Sequence, residues 1–224
     1  MFKLFRTIAY ISIFVAIIIT SVDVMSFDIN FFRDFYSEND SAEEIGISFE
    51  DLMISTEVLL DYTRGKKDSL DVLVTVDGGR EMMFNKREVD HMVDVRDLYL
   101  NAILIRNLLA GLFLSIFILD VLRKKFSFEQ HWQAVKNAST VMFALIGFIV
   151  MAALIDFNTF WTTFHLIFFR NDLWLLNPNT DRLIMMVPLD FFISLVTRII
   201  LASVSGLALV IGLSYFFVHK ERNA

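Results

Sequence analysis

The sequence predicts an all-α integral membrane protein: four transmembrane helices with a small, mainly helical extracellular cap. Three observations predict it. Four long apolar runs, residues 4–24, 98–122, 139–155 and 191–218, bracket the roughly 20 residues that cross about 30 Å of hydrocarbon as a helix. The chain is 56% hydrophobic with 24 Phe, and lipid cannot satisfy backbone N–H and C=O groups, so the runs must be helical. The remaining residues form two polar or mixed segments, 28–97 and 156–190, both on the same side if every run crosses. They are read as one cap on a single membrane domain, 1–224.

The first run is expected to be an uncleaved anchor. It is long, and the Asp23-Val-Met-Ser-Phe27 stretch at its end lacks an A-x-A-like cleavage site. Orientation follows from the short flanks: Lys3 and Arg6 precede run one, Arg123, Lys124, Lys125 and Lys136 lie between runs two and three, and Lys220 and Arg222 follow run four. The positive-inside rule puts these in the cytoplasm, with both termini, and the cap outside. Segment 28–97 holds 18 acidic and 8 basic residues, a net of −10, which leaves about +4 for the rest of a chain whose net charge is −6. Such acidity argues against nucleic acid as a partner. With no cysteine, disulfides, Cys metal sites and a Cys nucleophile are excluded.

Within the first outer segment, residues 30–36 read as a short aromatic interfacial helix. Ser48-x-x-Asp51 opens a helix that Gly65 stops. Residues 70–76 alternate and, with Asp77-Gly78 and 80–84, suggest a hairpin. Asn85-x-x-Glu88 caps the next helix, which no Gly or Pro interrupts until Gly111, so it continues into run two. The second outer segment, 156–190, is too polar to span and too apolar for a free loop; its Trp and Phe residues fit the membrane interface. In run four, Ala202-x-x-x-Gly206 and Ala208-x-x-x-Gly212 are small faces for close helix packing.

His91 precedes run two and His165 follows run three, so both fall at one membrane face. Histidine is the side chain whose ordinary pKa allows proton transfer near neutrality, and these two are the catalytic candidates. His131 and His219 fall on the other side and are read as solvated. Asp94, three residues beyond His91, shares its helix face. Arg106 and Arg198 lie inside runs two and four, where an unpaired charge costs ~3 kcal/mol on insertion scales. They are expected to face the bundle, paired with Asp156, Asp190 or carbonyls, or to clamp a lipid head or ester. Trp161, Phe164, Phe168 and Trp174 are candidate walls for acyl chains. Glu88-x-x-His91 also has a metal-ligand spacing, so a metal-dependent membrane hydrolase using Glu88, His91 and His165 is the enzyme alternative. A lipid-binding scaffold is the alternative without catalysis.

The stretch Phe84-Asn-Lys-Arg-Glu-Val-Asp-His91-Met-Val-Asp-Val and the stretch His165-Leu-Ile-Phe-Phe-Arg-Asn171-Asp-Leu-Trp174-Leu-Leu-Asn-Pro178 resemble the two hallmark segments of the lipoprotein intramolecular transacylases, a bacterial membrane family. The resemblance extends to residues 32–36 and to the four-span layout. It implies a four-helix enzyme of the bacterial cell membrane whose catalytic histidines, at the cap–membrane interface, match His91 and His165. It implies no cofactor or metal. The implied partner is a lipoprotein whose N-terminal cysteine carries diacylglyceryl, met in membrane lipid. The implied reaction moves the sn-2 acyl chain onto that cysteine's α-amine and leaves a lyso-form product. Asn171 falls inside the second hallmark and is taken with Asp94, Arg106, Arg198 and the four aromatics as a substrate contact. The substrate amine is itself the nucleophile, so no Ser or Cys is needed, and two histidines can serve as base and acid.

Overall fold

The computed structural model describes residues 2–223. In chain order its elements are α1 (Phe2–Ser26), α2 (Ile29–Glu38), α3 (Ser41–Ile45), α4 (Phe49–Thr63), β1 (Leu73–Val76), β2 (Gly79–Met82), α5 (Lys86–Leu122), α6 (Phe128–Ile155), α7 (Phe157–Phe168), α8 (Arg182–Met186) and α9 (Leu189–Arg222). The four longest, α1, α5, α6 and α9, are each apolar and long enough to cross a membrane. No more than 33% of any of their apolar windows is buried. Leu122, Phe148, Leu154 and Ile155 are more than 70% exposed, which only a lipid surround makes favourable. The protein is membrane-integral. At about 1.5 Å per residue, α5 is roughly 55 Å long, well beyond the hydrocarbon thickness. Its first twelve residues carry seven charged side chains and residues 98–122 only Arg106 and Asp120, so the membrane-crossing part begins near Leu98.

The contacts divide the chain into two compact units. One comprises the residues up to 25, 102–156 and those from 196 onward. Tyr10 and Phe14 of α1, Ala134, Val135, Ala138 and Met142 of α6 and Leu207 of α9 form its core. The small residues at 134 and 138, one helical turn apart, let α6 approach its neighbours. Gly206 does the same for α9: a Cβ there would stand 2.7 Å from the Ile17 methyl, so only glycine permits this approach. The second small pair behaves differently, because Ala208 and Gly212 are exposed and nothing lies within 4 Å of a Cβ at Gly212.

Several polar groups of this unit are paired internally. The buried Arg6 guanidinium donates to Asp120 Oδ2, to Gln130 Oε1 and to the Lys125 carbonyl. His131 is buried too, against the expectation of a solvated residue: α6 starts at Phe128, so His131 lies inside the helix, stacked on Phe126 with Nδ1 3.2 Å from the Tyr10 hydroxyl. Its Nε2 is 3.5 Å from Asp120 Oδ2, an electrostatic contact without hydrogen-bond geometry. His219 lies at the exposed end of α9, with its ring on the Tyr215 carbonyl. Arg106 pairs with Asp23 at 3.0 Å, instead of with Asp156 or Asp190. Asp23 is the one carboxylate near the end of α1, so the pair joins two apolar helices and removes a bare charge from each.

The other unit comprises 26–101 and 157–195. Asp28 caps α2, whose Phe32, Phe35 and Tyr36 are buried. The first two pack with Phe31 around Phe191, at centroid distances of 4.8 to 5.2 Å. The aromatic helix expected at the interface thus turns its rings inward, because Phe191 gives them an apolar partner. Ser48 caps α4 by accepting from the Asp51 N–H at 3.0 Å, and Gly65, with φ of 73°, follows its C-terminus. Strands β1 and β2 form an antiparallel hairpin in which Val76 faces Gly79. Asp77 and Gly78 both have positive φ, the condition of the tight turn whose twist matches its strands.

Candidate functional site

The site is built on the first turns of α5 and the last turn of α7, all within the second unit. A reciprocal capping box starts α5. Glu88 N–H donates to Asn85 Oδ1 at 3.1 Å, and Asn85 N–H donates to Glu88 Oε2 at 2.7 Å. One turn on, His91 is buried. The last turn of α7 holds His165, also buried, whose Nδ1 lies 2.8 Å from the Trp161 carbonyl. A carbonyl can only accept, so Nδ1 carries the proton and neutral His165 keeps its lone pair on Nε2.

The two imidazoles meet with centroids 6.3 Å apart and planes at 32°. Phe169 closes on both, at 5.3 Å from His91 and 5.6 Å from His165. Trp174 stacks on His165 at 4.8 Å, and Trp161 meets it edge-on at 5.0 Å. Trp161 in turn lies parallel to Phe164 and packs on Phe192, while Phe164 contacts Phe168. Phe168 itself is 50% exposed and is the outermost of this strip.

Electrostatics favour neutral rings. Burial, then the neighbouring His165 charge and Arg87, pushes His91 down to about 4, against an opposing pull from Asp94. Burial also lowers His165, while its bond to the Trp161 carbonyl works the other way. His91 Nδ1 is buried with no hydrogen-bond partner among the described residues. Such a polar atom is costly to leave unmet. Asp94 is half-buried and accepts from Asn171 Nδ2 at 2.7 Å.

Of the sequence-derived candidates, this unit gathers His91, His165, Asp94, Trp161, Phe164, Phe168, Asn171 and Trp174. Arg106 and Arg198 belong to the other unit; Arg198 is half-buried there. Sequence reasoning missed Phe169, although its place four residues after His165 puts it on the same helical face. It read Glu88 as part of the helix cap but missed the second bond that its carboxylate accepts, from Leu183 N–H. Both Glu88 oxygens are occupied, Oε2 by Asn85 N–H and Oε1 by Leu183 N–H at 2.5 Å. The carboxylate therefore serves backbone amides. Among the described residues no three His, Asp or Glu side chains converge as metal ligands.

This fold has solved relatives. The membrane integral lipoprotein intramolecular transacylase Lit from Bacillus cereus is similar over 100% of this chain and 99% of its own, with TM-score 0.85 at 18% identity. A variant of it with a histidine-to-arginine substitution matches 99% of this chain and 94% of its own, with TM-score 0.80 at 18% identity. A histidine-to-alanine variant matches at TM-score 0.79 and 19% identity, over 100% and 96%. No curated protein sequence matches the chain. The family sequence model described as lipoprotein intramolecular transacylase Lit matches residues 7–192. The match takes in both histidines and more than half of the chain: it belongs to the lipoprotein intramolecular transacylase family.

Proposed function

We propose that the site moves the sn-2 acyl chain of a diacylglyceryl-cysteine lipoprotein onto the α-amine of that same cysteine, with His91 and His165 handling the proton. The chain is an intramolecular transacylase with a lipoprotein substrate; the proposal concerns the bonds and the residues. The observation that carries it is the pairing of two buried imidazoles from different segments inside an aromatic enclosure.

The amine nitrogen attacks the ester carbonyl, the new N–C bond forms, and the ester C–O bond breaks. One proton must leave nitrogen and one must reach the glyceryl oxygen. His165 suits both transfers: its Nε2 lone pair takes the proton, and the Trp161 carbonyl stabilises the resulting imidazolium through Nδ1–H. His91, kept neutral by burial, donates to the carbonyl oxygen from its unmet Nδ1, in the tautomer with the proton on that nitrogen, as negative charge develops there. Asp94 attracts the substrate ammonium, and Asn171 fixes its carboxylate. The strip of Trp161, Phe164 and Phe168 holds acyl chains. Ring closure between amine and ester is chiefly a problem of orientation, which rigid aromatic walls supply.

The test is single and double replacement of His91 and His165 by Gln in the purified full-length chain. Conversion of a diacylglyceryl lipopeptide to its lyso form should fall by about two orders of magnitude or more in each, the usual share of general acid–base catalysis. The double variant should be little worse than the worse single one, because groups acting as a unit are not additive. A folded single variant with normal turnover would refute the pairing.

A further inference from the structure

We infer that Glu88 is a positioning residue for the transfer: its buried carboxylate clasps residues 171–183 to α5 beside His91, and so holds Trp174 against His165. This rests on the histidine reading above.

His91 is flanked on one face of α5 by Glu88 three residues before and Asp94 three residues after. Each holds one end of the same loop. Asp94 takes Asn171 at the start, and Arg87 donates to the Asp172 carbonyl. At the far end Glu88 Oε1 accepts Leu183 N–H at 2.5 Å, while Asn85 Nδ2 donates to Asp181 Oδ1 at 2.7 Å and to the Thr180 carbonyl at 3.2 Å. Asp181 Oδ2 closes the turn by accepting Asn177 N–H at 2.7 Å.

Between these ties sits Trp174. Its indole N–H is spent on the Asn171 carbonyl at 2.9 Å, and its ring lies on His165. The loop has no regular structure between α7 and α8, so its path depends on those ties. Glu88 is 1% exposed. An acidic side chain in so dry a place needs both oxygens met, and they are met by two backbone N–H groups from two different segments. That geometry suits a clasp. Releasing it would free Trp174 and let the His165 ring turn about its Trp161 bond, loosening one of the surfaces that hold it near His91.

The test uses the full-length chain in detergent. Glu88→Gln keeps shape but turns an amide NH2 toward one of the two N–H donors. The expected result is a fall in kcat of about tenfold or more with KM changed less than threefold. In a background where Trp132 and Trp161 are Phe, emission from Trp174 should become stronger and more open to acrylamide, while the melting midpoint shows the chain still folded. If Glu88→Gln does not fold, Asn85→Ala stands in, since Asn85 is exposed and its amide ties the same two segments; a smaller fall in the same direction is expected. Wild-type kcat, or unchanged Trp174 emission, in the folded variant overturns the inference while leaving the histidines' role intact. If the wild-type chain itself shows no transfer, the histidine reading fails, and Trp174 emission still reports whether Glu88 holds the loop.

Discussion

At the scale of single residues, the pair His91 and His165 was legible in the sequence because each sits near an apolar run and inside a recognisable stretch. The dryness of their surroundings was not. Phe169 and Trp174 reach the rings from a loop and a helix end, and no spacing rule announces a loop's path. Burial has a kinetic consequence. The values of both histidines lie below the ordinary one, His91 at about 4, so His91 stays neutral where a free histidine would protonate and His165 takes its proton at lower pH than a free one. In kcat/KM the substrate amine titrates near 7.7–8 and gives a slope of one on its acid side. The second bend, from the histidine pair, should come below the ordinary histidine value of about 6.5. A pH profile of kcat/KM checks this, and a clear break at the ordinary histidine value would mean that the rings are solvated. The folded chain holds these protons less tightly than the unfolded one. Stability associated with the neutral rings is therefore complete above the unfolded value and lost as pH falls from there toward 4.

At the scale of elements, the long helices and the caps were plain. Ser48 and the Asn85–Glu88 box start α4 and α5 where their side chains predict, and the Asp77-Gly78 turn makes the hairpin. Partners across the chain were harder. Arg106 found Asp23, and His131 found Tyr10, because pairing within a bundle depends on helix rotation, which periodicity in an all-apolar helix does not reveal. The same limit hid which small pair on α9 packs. Orientation of the four helices is proposed from Lys and Arg flanks: termini inside, segment 28–97 outside. Single cysteines at Lys67 and at Arg123, both exposed, can be introduced into a chain that has none. An impermeant thiol reagent added to intact cells should label the first and spare the second; the reverse would place the histidines on the cytoplasmic face.

At the scale of the whole molecule, the proposed reaction takes its nucleophile from the substrate. A Cys is absent. In the proposed reaction the acceptor is an amine on the molecule that also carries the acyl donor, which makes the transfer intramolecular. The most direct measurement is a crossover experiment with the purified chain in phospholipid vesicles. Two diacylglyceryl lipopeptides are mixed, one with an isotope-labelled sn-2 chain and a heavy peptide, the other unlabelled in both parts. Mass spectra of the lyso products should show heavy peptides bearing only labelled N-acyl chains and light peptides bearing only unlabelled ones. Exchange of label between the two peptides, or an N-acyl chain drawn from the vesicle phospholipid, would contradict the account.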